Sequence, residues 1–173
     1  AYSLLGKRNI LLGFDLRKPK IYQDFMLTNE KGISTWLIGK DKLHEIIQNT
    51  KYENLSIISA GPVPPNPSEL TALNKTAELI NLLKEEYDYI IIDSSPIGIV
   101  SDTLYLASLS DSCLLVVRPR KTLKNMFVNT LNEIKINSTK GVGLVVNDIQ
   151  TDSRYYGYGE KYGYTNDKKK SRR

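Results

Sequence analysis

The chain has 173 residues, 40% hydrophobic and 25% charged, the make-up of one soluble globular domain with a full core and too short for two. A single cysteine excludes a disulfide framework and fits a reducing compartment, and no apolar run approaches the roughly 20 residues that cross a bilayer as a helix. The formal net charge is +5, but +4 of it falls after residue 150, where seven Lys and Arg face three acids; the nearly neutral body offers no basic face for nucleic acid.

Ala1 to Lys7 reads as the last turn of a helix closed by Gly6, an opening that predicts further protein upstream. Ile10-Leu11-Leu12-Gly13-Phe14-Asp15 is a predicted strand that ends in an acid and runs into Leu16-Arg17-Lys18-Pro19. Short helices are expected over Ile21 to Met26, Ser34 to Ile38 and Leu43 to Gln48. In the last of these, Leu43, Ile46 and Ile47 make one apolar face and His44 points away from it. Leu55 to Ser59 is the second predicted strand, stopped by the loop Ala60-Gly61-Pro62-Val63-Pro64-Pro65, which cannot continue a ladder. Asn66 as cap, Pro67 at the first helical position and Glu69 three residues after the cap start one helix to about Glu86, with Leu70, Leu73, Ala77, Ile80 and Leu83 as its buried stripe.

Tyr89-Ile90-Ile91-Ile92-Asp93 has the pattern of a strand buried on both faces, and again delivers an acid to its carboxyl end, before Ser94-Ser95-Pro96. A short helix over Ser101 to Ser108, a strand over Ser112 to Val117 that buries Cys113, a helix over Leu123 to Ile136 and a strand over Gly141 to Val146 complete the body. Five strands alternating with helices predict an α/β fold, a mainly parallel sheet sandwiched by helices. Residues 151–173 form a separate region: five tyrosines and three glycines in ten residues, then a basic end, with nothing aliphatic to bury and a mobile character expected.

Two strands bringing Asp15 and Asp93 to one edge of a parallel sheet is an arrangement that holds Mg²⁺ beside nucleotide phosphates. At this point the chain resembles the cytoplasmic kinase domain of the bacterial tyrosine kinases of capsule and exopolysaccharide production, which share the P-loop ATPase fold. Leu11 to Pro19 looks like that family's second Walker-type segment, Ile90 to Pro96 like its Walker B, and Gly61 with Pro65-Asn66-Pro67-Ser68-Glu69-Leu70 like a further signature; Val116 to Pro119 and Leu144 to Asn147 fall where related ATPases carry later strands. Two features depart from the pattern. No glycine-rich loop with Lys and Ser/Thr is present, since neither Gly6-Lys7 nor Gly39-Lys40 has the spacing, and Gly13 stands where the family has the first of two acids.

The resemblance implies a kinase domain over residues 1–150, N-terminally incomplete, and a tail over 151–173. It implies ATP and Mg²⁺ as cofactors, with Asp93 holding the metal and Asp15 either sharing the metal shell or polarising the attacking hydroxyl. Arg17 either stabilises phosphate charge or braces the loop. Arg118 and Asn147 are the nucleotide-binding candidates, Asn147 being equally readable as a strand-end turn former. The implied acceptors are Tyr155, Tyr156, Tyr158, Tyr162 and Tyr164 on the tail of a neighbouring subunit. The implied partners are further copies in a ring-like oligomer, a membrane-anchored activator or polysaccharide co-polymerase that holds the chain at the inner face of the cell membrane, and a cognate tyrosine phosphatase, with no nucleic acid. Competing readings are a partitioning or positioning ATPase of the same fold, which has no need of a tyrosine tail, and an inert scaffold or substrate; the basic tail also suits anionic lipid or an acidic polymer.

Overall fold

The computed structural model describes residues 2–97, 102–136 and 141–149. It opens on a 3₁₀ turn, Tyr2–Leu5, ended by Gly6 at φ +73°. Strand β1 (Asn9–Gly13) then runs through the centre of the larger sheet. Short helices α1 (Ile21–Asp24), α2 (Ile33–Leu37) and α3 (Leu43–Ile46) follow, then strands β2 (Ile47–Asn49) and β3 (Leu55–Ile58). Helices α4 (Pro67–Thr71) and α5 (Asn74–Glu86) lead into β4 (Tyr89–Asp93), and α6 (Asp102–Ser108), β5 (Cys113–Val117), α7 (Lys124–Ile136) and β6 (Val142–Val146) complete the described chain.

Four strands form one sheet in the order β2-β3-β1-β4, with β1 parallel to both neighbours and β2 antiparallel to β3; β5 and β6 form a separate parallel pair. The mainly parallel α/β fold expected from the sequence is present. The core lies on the face where Ile10 and Leu12 of β1 meet Ile58 of β3 and Leu79 and Leu83 of α5, all at or near zero exposure, with Ile46, Phe14, Leu16 and Trp36 packed around them.

Four local expectations are corrected. The helix over Leu43 to Gln48 is a single turn, and Ile47 to Asn49 is a strand, because Ile47 pairs with Ile58 across an antiparallel ladder. The helix over Asn66 to Glu86 is two helices: Leu73 is extended at φ −64° and ψ 146° and begins the second one. The break re-phases the apolar stripe, so that Leu70 and then Thr76, Leu79, Ile80 and Leu83 all face inward while Leu73 is exposed. Strand β4 is not buried on both faces. Ile90 and Ile92 pack against the core, but Tyr89 and Ile91 are 39% and 44% exposed, and among the described residues no strand pairs with the edge of β4 away from β1. Cys113 is half-buried rather than buried, and burial raises its thiol pKa.

One packing feature shapes the carboxyl edge. The segment around Gly32 is bound to the strand end after β3: Ile33 and Ser34 amides donate to the Ser59 and Ala60 carbonyls, each at 2.9 Å, and Asn29 donates to the Gly61 carbonyl and accepts from its amide. Gly32 lies so close that a side chain there would overlap the Ser59 carbonyl and the Gly61 amide.

Candidate active site

The carboxyl ends of β1 and β4 are joined directly. Gly13 is in register with Asp93, and the Phe14 amide donates to the Asp93 carbonyl at 2.7 Å. Beyond Gly13 the chain buries Phe14 and Leu16, at 3% and 2% exposure, and the residue between them is left to face the other way. That residue is Asp15. Its Oδ1 accepts from the backbone amides of Arg17 at 3.2 Å and Lys18 at 3.1 Å, closing an Asx turn, and from Ser95 Oγ at 2.8 Å. Its Oδ2 takes no hydrogen bond among the described residues.

Asp15 and Asp93 line one cleft with Gly13, Pro19, Lys20, Ile21, Tyr22 and Ala60. Burial, and then the neighbouring Asp15 charge, raise the Asp93 pKa above the ordinary carboxylate value. A pair of neighbouring carboxylates, one with an oxygen left open, suits a divalent cation. Among the described residues no cluster of three or more His, Cys, Asp and Glu side chains could hold a metal. Two are enough for Mg²⁺, which is commonly bound by one or two carboxylates together with waters and substrate phosphates.

The other predicted residues are placed as follows. Arg17 points across the turn: its Nη2 donates to Ser68 Oγ on α4 and lies 3.3 Å from Asp102 Oδ2 at the start of α6. Arg118 and Asn147 do not line the Asp15–Asp93 cleft; they stand together at the carboxyl ends of β5 and β6. Arg118 Nε and Nη2 both donate to Asp148 Oδ2, at 3.2 and 2.6 Å, and Asn147 Oδ1 accepts from the Asp148 amide at 2.8 Å. Tyr155, Tyr156, Tyr158, Tyr162 and Tyr164 lie outside the described residues, as does the boundary at residue 150. His44 is exposed, as its helical spacing predicts, and does not line the cleft.

Sequence reasoning did not assign Ser95, Tyr22, Lys20 or Asp102 to the site. The Ser94-Ser95-Pro96 turn was a signal for the first. Nothing local marks Asp102, whose partner Arg17 lies 85 residues away.

No protein-family model matches the chain. CapB of Staphylococcus aureus is 36% identical over 162 residues, covering 92% of this chain and 71% of CapB. The tyrosine-protein kinase YwqD of Bacillus subtilis is 31% identical, with 92% of this chain and 68% of YwqD covered. Longer relatives exist: the chain spans 20% of the tyrosine-protein kinase ptk of Acinetobacter johnsonii. Among solved structures, the kinase domain of the Escherichia coli tyrosine kinase ETK matches with a TM-score of 0.83 and 26% identity, over 88% of this chain and 60% of that one. The septum site-determining protein MinD of Pyrococcus horikoshii, solved with Mg-ADP, shares the fold at a TM-score of 0.65 and 22% identity, over 82% of this chain and 57% of its own. Alike to CapB and YwqD over two thirds or more of their length, the chain belongs to the family of bacterial tyrosine-protein kinases.

Proposed function

We propose that the whole protein is an ATP-dependent tyrosine autokinase that phosphorylates the tail cluster Tyr155, Tyr156, Tyr158, Tyr162 and Tyr164 of a neighbouring copy and thereby regulates capsular or exopolysaccharide synthesis and export. The observation that carries this reading is the pairing of Asp15 and Asp93 in one cleft at the carboxyl edge of a parallel sheet, in a chain of this family. Asp93 and Asp15 would hold the Mg²⁺ of MgATP, which supplies neutralisation of the charge on the phosphoryl group. Ser95 and the Arg17 and Lys18 amides fix the Asp15 carboxylate before any substrate arrives, so its orientation costs nothing at the moment of reaction. The open Oδ2 of Asp15 is the atom suited either to share the metal shell or, where Asp93 alone holds the metal, to polarise the attacking tyrosine hydroxyl. Arg118 and Asn147 serve the nucleotide from the carboxyl ends of β5 and β6, which requires Arg118 to exchange Asp148 for the ligand.

The tail is suited to its role by composition. Glycines between the tyrosines let the segment enter another molecule's cleft at low conformational cost, and each phosphate adds nearly two negative charges, so three overturn the tail's +4. Loss of that charge balance would loosen a ring-like oligomer, and a membrane-anchored activator and a phosphatase would complete the cycle.

The test is phosphotyrosine mapping by mass spectrometry after incubating the full-length protein with ATP and Mg²⁺, beside Asp93→Ala. Phosphate on Tyr155 to Tyr164 only when Asp93 is present supports the reading. ATP hydrolysis with every tyrosine unmodified replaces it with a positioning ATPase of the MinD kind.

A further inference from the structure

Asp15 is held from two sides, and the two holds are linked into a ring. On one side its Oδ1 accepts from Ser95 Oγ; the Ser95 carbonyl in turn accepts from Thr103 Oγ1 at 2.9 Å. Next to Thr103 is Asp102, whose carboxylate lies 3.3 Å from Arg17 Nη2. Arg17 closes the ring, since its own amide donates to Asp15 Oδ1. A third arm leaves the ring where Arg17 Nη2 donates to Ser68 Oγ and so reaches α4. Three parts of the chain distant in sequence, residues 15–18, Ser68, and Ser95 with Asp102 and Thr103, are thus tied together behind the cleft.

The Arg17–Asp102 pair is nearly closed to water on the acid's side, where the Asp102 side chain is 9% exposed. It is also incomplete. Arg17 Nε and Asp102 Oδ1 are both buried without a hydrogen-bond partner among the described residues. A guanidinium and a carboxylate selected for stability alone would close two parallel hydrogen bonds and leave neither atom orphaned. Here Nη2 is shared between Asp102 and Ser68, and the pair gives up its second bond in order to bridge two helices.

We propose that Asp102 is a positioning residue: acting through Arg17, it holds the Asx turn that aims Asp15 into the cleft, and so sets the affinity of the Asp15–Asp93 pair for a divalent cation. The metal part of this inference rests on the reading of the cleft given above; the latch itself does not. Residues that orient a metal ligand from behind typically change metal affinity 10- to 100-fold when altered. Substitution of Asp102 removes the charged anchor from Arg17, leaves its Nη2 on Ser68 alone, and loosens the turn, so that Ser95 becomes the firmer hold on Asp15.

The experiment uses the full chain, Asp102→Asn, Arg17→Lys and the double variant, with two readouts. The first is NMR-detected hydrogen exchange of the Arg17 and Lys18 amides, against Leu12 and Ile91 in the neighbouring strands. The second is the affinity for Mn²⁺ alone, read from paramagnetic broadening of the Gly13 and Ser95 amides, with Asp15→Asn as the control for the metal site. In Asp102→Asn the Arg17 and Lys18 amides should exchange about tenfold faster or more, with Leu12 and Ile91 unchanged, and the Mn²⁺ dissociation constant should rise about tenfold. Arg17→Lys should do the same, and the double variant should be no worse than either single one. If Asp102→Asn fails to fold, Arg17→Lys and Ser95→Ala carry both readouts. Exchange at Arg17 and Lys18 equal to the parent in a folded variant, or effects that add in the double variant, overturn the latch. If Mn²⁺ binds the parent and Asp15→Asn equally, the metal reading of the cleft fails and the exchange data alone decide the latch.

Discussion

Replacing Gly32 by alanine should destabilise the fold severely, although the backbone there asks nothing of a glycine. Its φ of 171° is extended and open to any residue, so the whole cost is steric. A Cβ would overlap the Ser59 carbonyl oxygen and the Gly61 amide and sit 2.8 Å from the Ser59 carbonyl carbon, where ordinary contact begins at 3.4 Å. All three are backbone atoms and cannot swing aside. The α2 segment must therefore lift from the strand end, losing the Ile33-to-Ser59 and Ser34-to-Ala60 hydrogen bonds. Two such bonds contribute about 1 kcal/mol each and overpacking costs about 1–3 kcal/mol, so the loss is roughly 3–5 kcal/mol. That is a melting temperature lower by about 6–20 °C for a chain of this length.

Gly6 is the internal control. It sits at φ +73° with nothing among the described residues within 4 Å of the point where a methyl group would stand, so Gly6→Ala suffers backbone strain alone, about 1–2 kcal/mol. Urea unfolding and calorimetry of both variants check the argument. A Gly32→Ala protein within about 0.5 kcal/mol of the parent, or one less affected than Gly6→Ala, would refute it. Because Ala60 lines the cleft, Gly32→Ala should also weaken ligand binding there under conditions where the variant is folded.

Thr76 is fully buried and its hydroxyl has no partner among the described residues, so Thr76→Val, equal in shape and helix propensity, should leave stability unchanged or raise it by about 1 kcal/mol; a loss of that size would show that the hydroxyl is bonded after all. The Glu45 carboxyl is held down to about 2 by the hydrogen bond from Lys31 and then by the Lys42 amide. A depressed carboxylate adds stability above its unfolded value of 4.5 that is lost as pH falls towards 2. Melting curves between pH 6 and pH 2 should therefore be flatter for Glu45→Gln than for the parent, by a small amount that shrinks with salt, since the pair is open to solvent. Curves that stay parallel would show that the pair contributes no pH dependence.

Local pattern carried the chemistry of the carboxyl edge. Asp15 and Asp93 each follow an apolar run, the pattern of a strand with at least one face in the core and an end that meets solvent. The Asn66-Pro67 start was legible for a similar reason: proline's fixed φ and missing amide suit the first helical position and few others. Here the expected cap differs in detail, because Asn66 Nδ2 donates to Glu69 rather than its side chain capping the helix amides.

What only the tertiary structure decided depends on partners far along the chain. Ile47 has helical spacing with Leu43, and becomes a strand residue because Ile58 offers it a ladder. The break at Leu73 follows from the need to turn Leu70 and Leu79 towards one core, which no window of the sequence displays. Gly32 looks like an ordinary turn glycine until Ser59 and Gly61 are brought against it. Arg17 and Asp102, separated by 85 residues, form a latch only because β1 and β4 lie side by side. Periodicity and punctuation are properties of neighbours in the chain, so the sequence by itself determined the two acids, the alternation of strands and helices and the family; register, re-phasing and the positioning of Asp15 are properties of neighbours in space, and they were settled by which surfaces could be buried together.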